Sequence, residues 1–221
     1  MLYGIIADVH SNLEAFRAVV DELSSVDQIV CAGDIVGYGP DPNKCIALMR
    51  EKNIQAVAGN HDKAAVGEMD LQWFNVNAKA AIEWTATQLT EDSREYLRAL
   101  PLTLELPDFQ VVHGSLRDPL KEYIMTIAVA GPNIELMNKP FLFVGHTHRP
   151  LHLSLEGKGI INPGSVGQPR DGDPRASFGI YDSEKNEFTL HRVEYNVQAV
   201  QEKMGRVGLP IPLIERLRFG R

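Results

Sequence analysis

Short apolar runs alternate with helical periodicity over the first sixty positions of the chain. LYGIIA (residues 2–7), DQIVCA (27–32) and QAVAG (55–59) are continuous apolar stretches bounded by turn-forming residues, and they predict buried strands. Between them, LEAFRAVVDELS (13–24) and PNKCIALMREKN (42–53) return to apolar residues every three or four positions, which predicts two helices. Strands separated by helices imply βαβ units and a largely parallel sheet.

The pattern becomes helical from Lys63 to Leu100. NAKAAIEWTATQL (77–89) and EDSREYLRAL (91–100) are the candidate helices, with Thr90 as an N-cap and Pro101 as a stop. LTLEL (102–106) and FQVVHG (109–114) predict an antiparallel pair, and Pro132 is placed in the first turn of a short helix PNIELMNK. That helix leads into the strand FLFVGHTH (141–148). Two hairpins follow, LHLSL turning at EGKG into GIIN, and SFGIYD turning at SEKN into EFTLHRVEY. The last segment (196–221) predicts a helix and a shorter amphipathic one, separated by Gly208 and Pro210, forming a tail packed on a single domain of residues 1–221 with two sheets.

The polar residues directly after the strands carry the chemistry. The strand runs lead into Asp8-Val9-His10, Gly33-Asp34, Gly59-Asn60-His61-Asp62, His113-Gly114 and Gly145-His146-Thr147-His148. Ligands gather beyond the carboxyl ends of strands in open α/β sheets, so five neighbouring strands would bring these groups to one rim. Read as extended chain, His146 and His148 point to the same side and share a target. Carboxylates and imidazoles crowded together repel or sit desolvated unless a cation neutralises them. Two carboxylates (Asp8, Asp34), one amide oxygen (Asn60) and four imidazoles (His10, His113, His146, His148) suit two metal ions with one carboxylate bridging. Gly33, Gly59 and Gly145 fit tight turns where backbones approach closely. His152 and His191 fall in alternating strands and are assigned to structure.

Composition narrows the partners. Net charge is −7 with no basic run, which argues against a protein that coats extended nucleic acid. The N-terminal apolar run meets Asp8 too early for a signal peptide or a membrane span. Two cysteines, Cys31 and Cys45, form no disulfide framework or thiolate metal site, and a cytoplasmic protein with no membrane partner is expected, as a monomer or small homo-oligomer.

The set DVH, GD, GNHD, VHG and GHTH, in this order from Asp8 to His148, resembles the calcineurin-like metallophosphoesterases. NPGSVGQPRDGDPRASFGIYD (162–182) also resembles the smaller prokaryotic-type members. The resemblance implies an α/β (α+β) fold, a four-layer αββα sandwich of two mixed sheets, with a dinuclear metal centre. It implies that Asp8, His10 and His148 hold one ion, that Asn60, His113 and His146 hold the other, and that Asp34 bridges them. It further implies that a metal-bridging hydroxide attacks phosphorus and that His61 protonates the leaving group. Asp62 is then expected to hydrogen-bond the other ring nitrogen of His61. Nitrogen and oxygen donors suit Mn, Fe, Ni, Co or Zn, with Mn first; four imidazoles argue against Ca or Mg.

One departure bears on substrate. The protein-phosphatase branch continues GD as GD-x-V-D-R-G, with an arginine for the phosphate; here GDIVGYG places Tyr38 there. A monoester dianion gains most from a guanidinium fork, so its loss favours a phosphodiester in a small or nucleotide-like substrate. Arg149, Arg170 and Arg175 are candidate replacements, and Trp73, Phe74, Asn75 and Asn77 a candidate lid. The alternatives are a dinucleoside polyphosphate hydrolase, a phosphomonoesterase or phosphoprotein phosphatase, and a non-catalytic scaffold as in a retromer subunit. Such scaffolds lose the catalytic histidine or several ligands, whereas every motif position is kept here.

Overall fold

The computed structural model describes residues 1–155 and 157–221; Glu156, in the expected EGKG turn, lies outside the described residues. Strand β1 (Leu2–Ile6) leads to helix α1 (Leu13–Glu22), β2 (Gln28–Cys31), α2 (Pro42–Glu51) and β3 (Gln55–Ala56). Next come α3 (Asn60–Ala65), a 3₁₀ turn (Leu71–Trp73), α4 (Val76–Gln88) and α5 (Glu91–Ala99). β4 (Thr103–Glu105), β5 (Phe109–Val112), α6 (Ile127–Leu136) and β6 (Phe141–Phe143) follow. The chain ends with β7 (Pro150–Leu155), β8 (Lys158–Pro163), β9 (Ala176–Asp182), β10 (Glu187–Val193), α7 (Val197–Arg206) and α8 (Ile211–Arg216), the last running into a 3₁₀ turn at Leu217–Phe219.

Two mixed sheets form, ordered β10-β9-β1-β2-β3 and β4-β5-β6-β8-β7. The parallel pairs are β1–β2 and β2–β3 in the first sheet, and β5–β6 and β6–β8 in the second. Tyr3, Ile5, Ala7 and Val30 from one sheet and Phe109, Val111, Phe143 and Ile161 from the other share a core between the sheets. Opposite residues of the same strands, such as Ile6 and Cys31, pack against Phe16, Val19, Ile46 and Met49 of α1 and α2. Leu142 and Ile160 pack outward against Ala130, Ile134 and Met137 at and beside α6. Helix, sheet, sheet and helix are thus the four layers. Burial on both faces explains why β1, β5 and β6 read as unbroken apolar runs rather than alternating ones.

Local signals decide the helix ends. Asn12, Asn75, Thr90 and Asn196 each accept a backbone N–H at the start of a helix, and Pro42 occupies the first turn of α2. The tail packs Val200, Met204, Leu213 and Leu217 around Tyr38, Ala78 and Ala81.

Three expectations need correction. Helix α6 begins at Ile127, so Pro132 lies inside it; the ring removes a donor, and the Asn133 side chain answers the neighbouring Val129 carbonyl. The helical pattern expected from Lys63 begins earlier, with α3 at Asn60, a helix too short to leave a periodic signal. The five strand ends belong to two sheets, three to the first and two to the second, so the rim is a seam rather than one edge.

Candidate metal centre

The seam gathers side chains from the carboxyl ends of β1, β2, β3, β5 and β6. Loop backbones hold one another there: the Asp8 and His10 amides donate to the Gly33 and Asp34 carbonyls, and the Gly167 amide to the Asp8 carbonyl. Asp8, His10, Asp34, Tyr38, His146 and His148 all adopt positive φ, between 49° and 68°. Such left-handed conformations cost of order 1–3 kcal/mol each in a non-glycine residue and persist only where surroundings enforce them. Gly59 illustrates the crowding, because a Cβ there would overlap the Asp34 carboxylate.

Two sets of ligand atoms form, each with all members within 4.8 Å of one another: Asp8, His10, Asp34 and His148 in one, Asp34, His113 and His146 in the other. Asp34 is common to both. Asn60 completes the second set, its Oδ1 lying 2.9 Å from His113 Nε2. One Asp34 oxygen accepts the His61 amide at 2.9 Å; the other faces His113 Nε2 at 3.3 Å and His10 Nε2 at 3.5 Å.

The ring orientations test whether cations fit. His10 Nδ1 lies 3.1 Å from the Val36 carbonyl and His148 Nδ1 2.7 Å from the Gln168 carbonyl, so each carries its proton on Nδ1. Burial holds both imidazoles well below their usual pKa, hence neutral. Their Nε2 lone pairs then face each other at 3.0 Å, with Asp8 Oδ1 3.6 Å from one and 3.9 Å from the other. Acceptors aimed at one point are repulsive without a cation between them.

The second set repeats the arrangement. His113 Nδ1 meets the Ala32 carbonyl at 2.8 Å, and its Nε2 lies 3.2 Å from His146 Nδ1. Burial opposes a charge on His113, but Asp34 outweighs it and lifts the group to about 9. Burial, joined by His113, lowers His146 to about 3. Burial also raises Asp8 to about 8, whereas Asp34, despite burial, is held well below the carboxylate range by His113 and His61. A single proton on His113 thus stands where Asp34, Asn60 and His146 all present acceptors. The donors are imidazole nitrogens and carboxylate or amide oxygens, a set that fits divalent transition ions.

His61 follows Asn60 on the first turn of α3 and is buried, its Nδ1 without a partner. Its ring packs on Tyr38 (4.4 Å between centroids), His10 (4.8 Å) and Phe74 (5.0 Å). Burial lowers it to about 4.

The expectation for Asp62 fails. Its two oxygens accept the Val36 and Gly59 amides at 3.0 and 2.9 Å, and it does not orient His61. As the third residue of a short helix, its carboxylate finds unpaired backbone N–H groups nearer than any side chain.

Tyr38, His61, Asn60, His146 and Arg170 line the cleft in front of these atoms, which opens toward Trp73, Phe74, Asn75, Lys121 and Tyr123. Of the other proposed residues, Arg149 turns away to the Arg170 carbonyl (2.8 Å), and Arg175 is paired with Asp173. Asn77 is absent from the lining because α4 starts one residue earlier; Asn75, the cap, stands at the cleft instead. Tyr123, between β5 and α6, also lines the cleft and stacks on His146 with centroids 3.8 Å apart. Nothing in its apolar-polar pattern marks it. Among the described residues no helix is long and apolar enough to cross a membrane.

Residues 1–186 match a model of the calcineurin-like phosphoesterase superfamily domain. The chain is 37% identical to an uncharacterised protein of Methanocaldococcus jannaschii, over 100% of this chain and 98% of that one. It is 29% identical to the phosphodiesterase YfcE of Escherichia coli, over 80% and 85% of the two chains. Among solved structures, a metallophosphoesterase from Sphaerobacter thermophilus superposes with a TM-score of 0.91 at 42% identity, covering 100% of this chain and 99% of that one.

Proposed function

The chain belongs to the calcineurin-like phosphoesterase superfamily, and on that premise we propose that it hydrolyses a phosphodiester bond in a small or nucleotide-like substrate. The observation that carries the reading is the pair of facing imidazole lone pairs, His10 against His148, beside the shared Asp34 carboxylate. Asp8, His10 and His148 would hold one cation, Asn60, His113 and His146 the other, and Asp34 both, with Mn²⁺ the first ion to try. When bound, such a pair lowers the pKa of water from 15.7 toward about 7 and offsets charge on phosphoryl oxygens.

The remaining work falls to the chain itself. Carbonyls of Val36, Ala32 and Gln168 fix the ring tautomers, so the ligand nitrogens need no reorganisation. His61 delivers a proton to the leaving oxygen. Burial keeps it neutral in the free protein, and a phosphate anion beside it favours the charged form. Tyr38 stands where the phosphatase branch carries an arginine, and Arg170 is the guanidinium that does line the cleft; one fork matches the two free oxygens of a monoanionic diester. Buried, unpaired Cys31 and Cys45 support a cytoplasmic setting.

The test compares hydrolysis of bis-p-nitrophenyl phosphate and p-nitrophenyl phosphate by the Mn²⁺-loaded protein and by His61→Ala. We expect preference for the diester, and His61→Ala to keep its metal while losing about 100-fold or more in turnover. Preference for the monoester refutes the argument from Tyr38. Wild-type rates in His61→Ala remove it as the acid.

A further inference from the structure

One of the four candidate imidazole ligands is held from the outside of the molecule. The outer nitrogens of His10, His113 and His148 rest on the Val36, Ala32 and Gln168 carbonyls at 3.1, 2.8 and 2.7 Å. His146 turns its Nδ1 toward His113, and its Nε2 meets the Lys121 carbonyl at 3.4 Å. A contact of that length holds a ring weakly. The face of the imidazole is covered instead by Tyr123, with centroids 3.8 Å apart and planes 18° from parallel.

Core packing does not explain this tyrosine, because 49% of its surface is exposed. Its two neighbours are nevertheless anchored. Glu122 accepts the Ser115 hydroxyl at 2.6 Å and the Asn133 amide at 3.1 Å, and Ile124 is buried with Val112, Ile134 and Leu142. The loop also closes tightly over Gly114, where a Cβ would lie 2.9–3.1 Å from the Asp118, Glu122 and Pro119 carbonyl oxygens. Across the cleft, Lys121 Nζ stands 4.2 Å from the Trp73 ring centroid. The stack itself is a poor one for two uncharged rings, which favour offset or edge-on contacts with centroids about 4.5–7 Å apart. A cation on His146 reverses that balance. It draws electrons from the imidazole, and an electron-poor ring is attracted to the face of a phenol as other cationic groups are.

We propose that Tyr123 is a positioning residue for one of the two cations: its ring fixes His146 and strengthens the site that His146 forms with Asn60 and His113. This rests on the two-cation reading of the centre and adds a difference between its two sites. The Asp8, His10 and His148 set is oriented wholly by buried backbone carbonyls, and Tyr123 does not touch it. The other set is completed by a half-exposed side chain that also lines the cleft. Its affinity for metal is therefore set in part from the wall of the cleft.

The experiment titrates Mn²⁺ into the full chain, stripped of metal, and reads binding by calorimetry and by the electron paramagnetic resonance of the free ion. The wild type should take up two equivalents. Tyr123→Leu should weaken one of them about 10–100-fold, as removal of a group that orients a ligand does, and leave the other within about twofold. The weakened equivalent should be the one that His146→Ala abolishes. Tyr123→Phe keeps the aromatic face and should bind both within about threefold of the wild type. Two unchanged equivalents in Tyr123→Leu, equal losses at both, or a Tyr123→Phe protein as weak as Tyr123→Leu overturns the proposal and leaves the two-cation reading standing. A wild type that takes up a single equivalent overturns that reading, and the proposal with it. If Tyr123→Leu does not fold, Tyr123→Gln is titrated in its place and judged by the same outcomes.

Discussion

Replacing Gly37 by alanine perturbs His61 while leaving that residue in the sequence. Gly37 has φ +94°, and a Cβ there would lie 2.5 Å from His61 Nδ1 and 3.0 Å from Cγ. Non-bonded heavy atoms settle at about 3.5–4.0 Å, so the ring must move by about 1 Å. Displacement of a reacting group by that much costs about 100-fold, or about 2.7 kcal/mol of activation free energy. The left-handed backbone adds about 1–2 kcal/mol of lost stability, a fall of a few degrees in melting temperature for a chain of this size. The assay is steady-state hydrolysis of bis-p-nitrophenyl phosphate with metal content measured on the same samples. We expect Gly37→Ala to keep its metal, melt slightly lower and lose about 100-fold in kcat. The double variant with His61→Ala should be no slower than His61→Ala alone, because both act through one ring. A fully active Gly37→Ala, or losses that multiply in the double variant, would refute the reasoning.

Asp62→Ala leaves the Gly59 and Val36 amides without acceptors and should cost about 2–5 kcal/mol in urea unfolding; a loss below about 1 kcal/mol contradicts its role as a cap. Burial raises Asp8 to about 8, and Asp34 lifts His113 to about 9, so metal uptake at pH 7 must expel protons from both. Affinity should therefore rise with pH and level off above about 9. Calorimetry in buffers of different ionisation enthalpy reads the release, and finding none refutes the ligand assignment. Arg149→Ala and Asn77→Ala should leave KM for the diester within about twofold, since neither lines the cleft; a tenfold rise in either would return it to the site.

Much of the centre was legible because its residues follow apolar strands directly, where parallel topology converges. Asp8, Asp34, Asn60 and His113 lie where strand-end reasoning places them. His146 and His148 meet the right neighbours for a different reason than the one first given. β6 ends at Phe143, and both histidines are left-handed, so no extended chain sets them side by side; turns in the loop send one ring to each set. Backbone partners leave no mark in a sequence at all, and the carbonyls of Ala32, Val36 and Gln168 are what fix the rings. The role of Asp62 is not legible in the sequence, because a carboxylate beside a histidine looks the same whether it faces the ring or the helix start. Nothing in the sequence separates Arg170 from Arg149 and Arg175; the ion pair of Arg175 and the outward turn of Arg149 do.

Because the rim is a seam, its ligands are far apart along the chain. His10 and His148, 138 residues apart, come from different sheets. An ion shared by them would join the sheets much as a cross-link does, and closing a loop of that length would remove about 5 kcal/mol of freedom from the unfolded chain on the usual entropic estimate. The stability added by mass action grows with the free ion concentration. Metal supply would then govern how many copies of this protein stay folded, and not only how fast each one works.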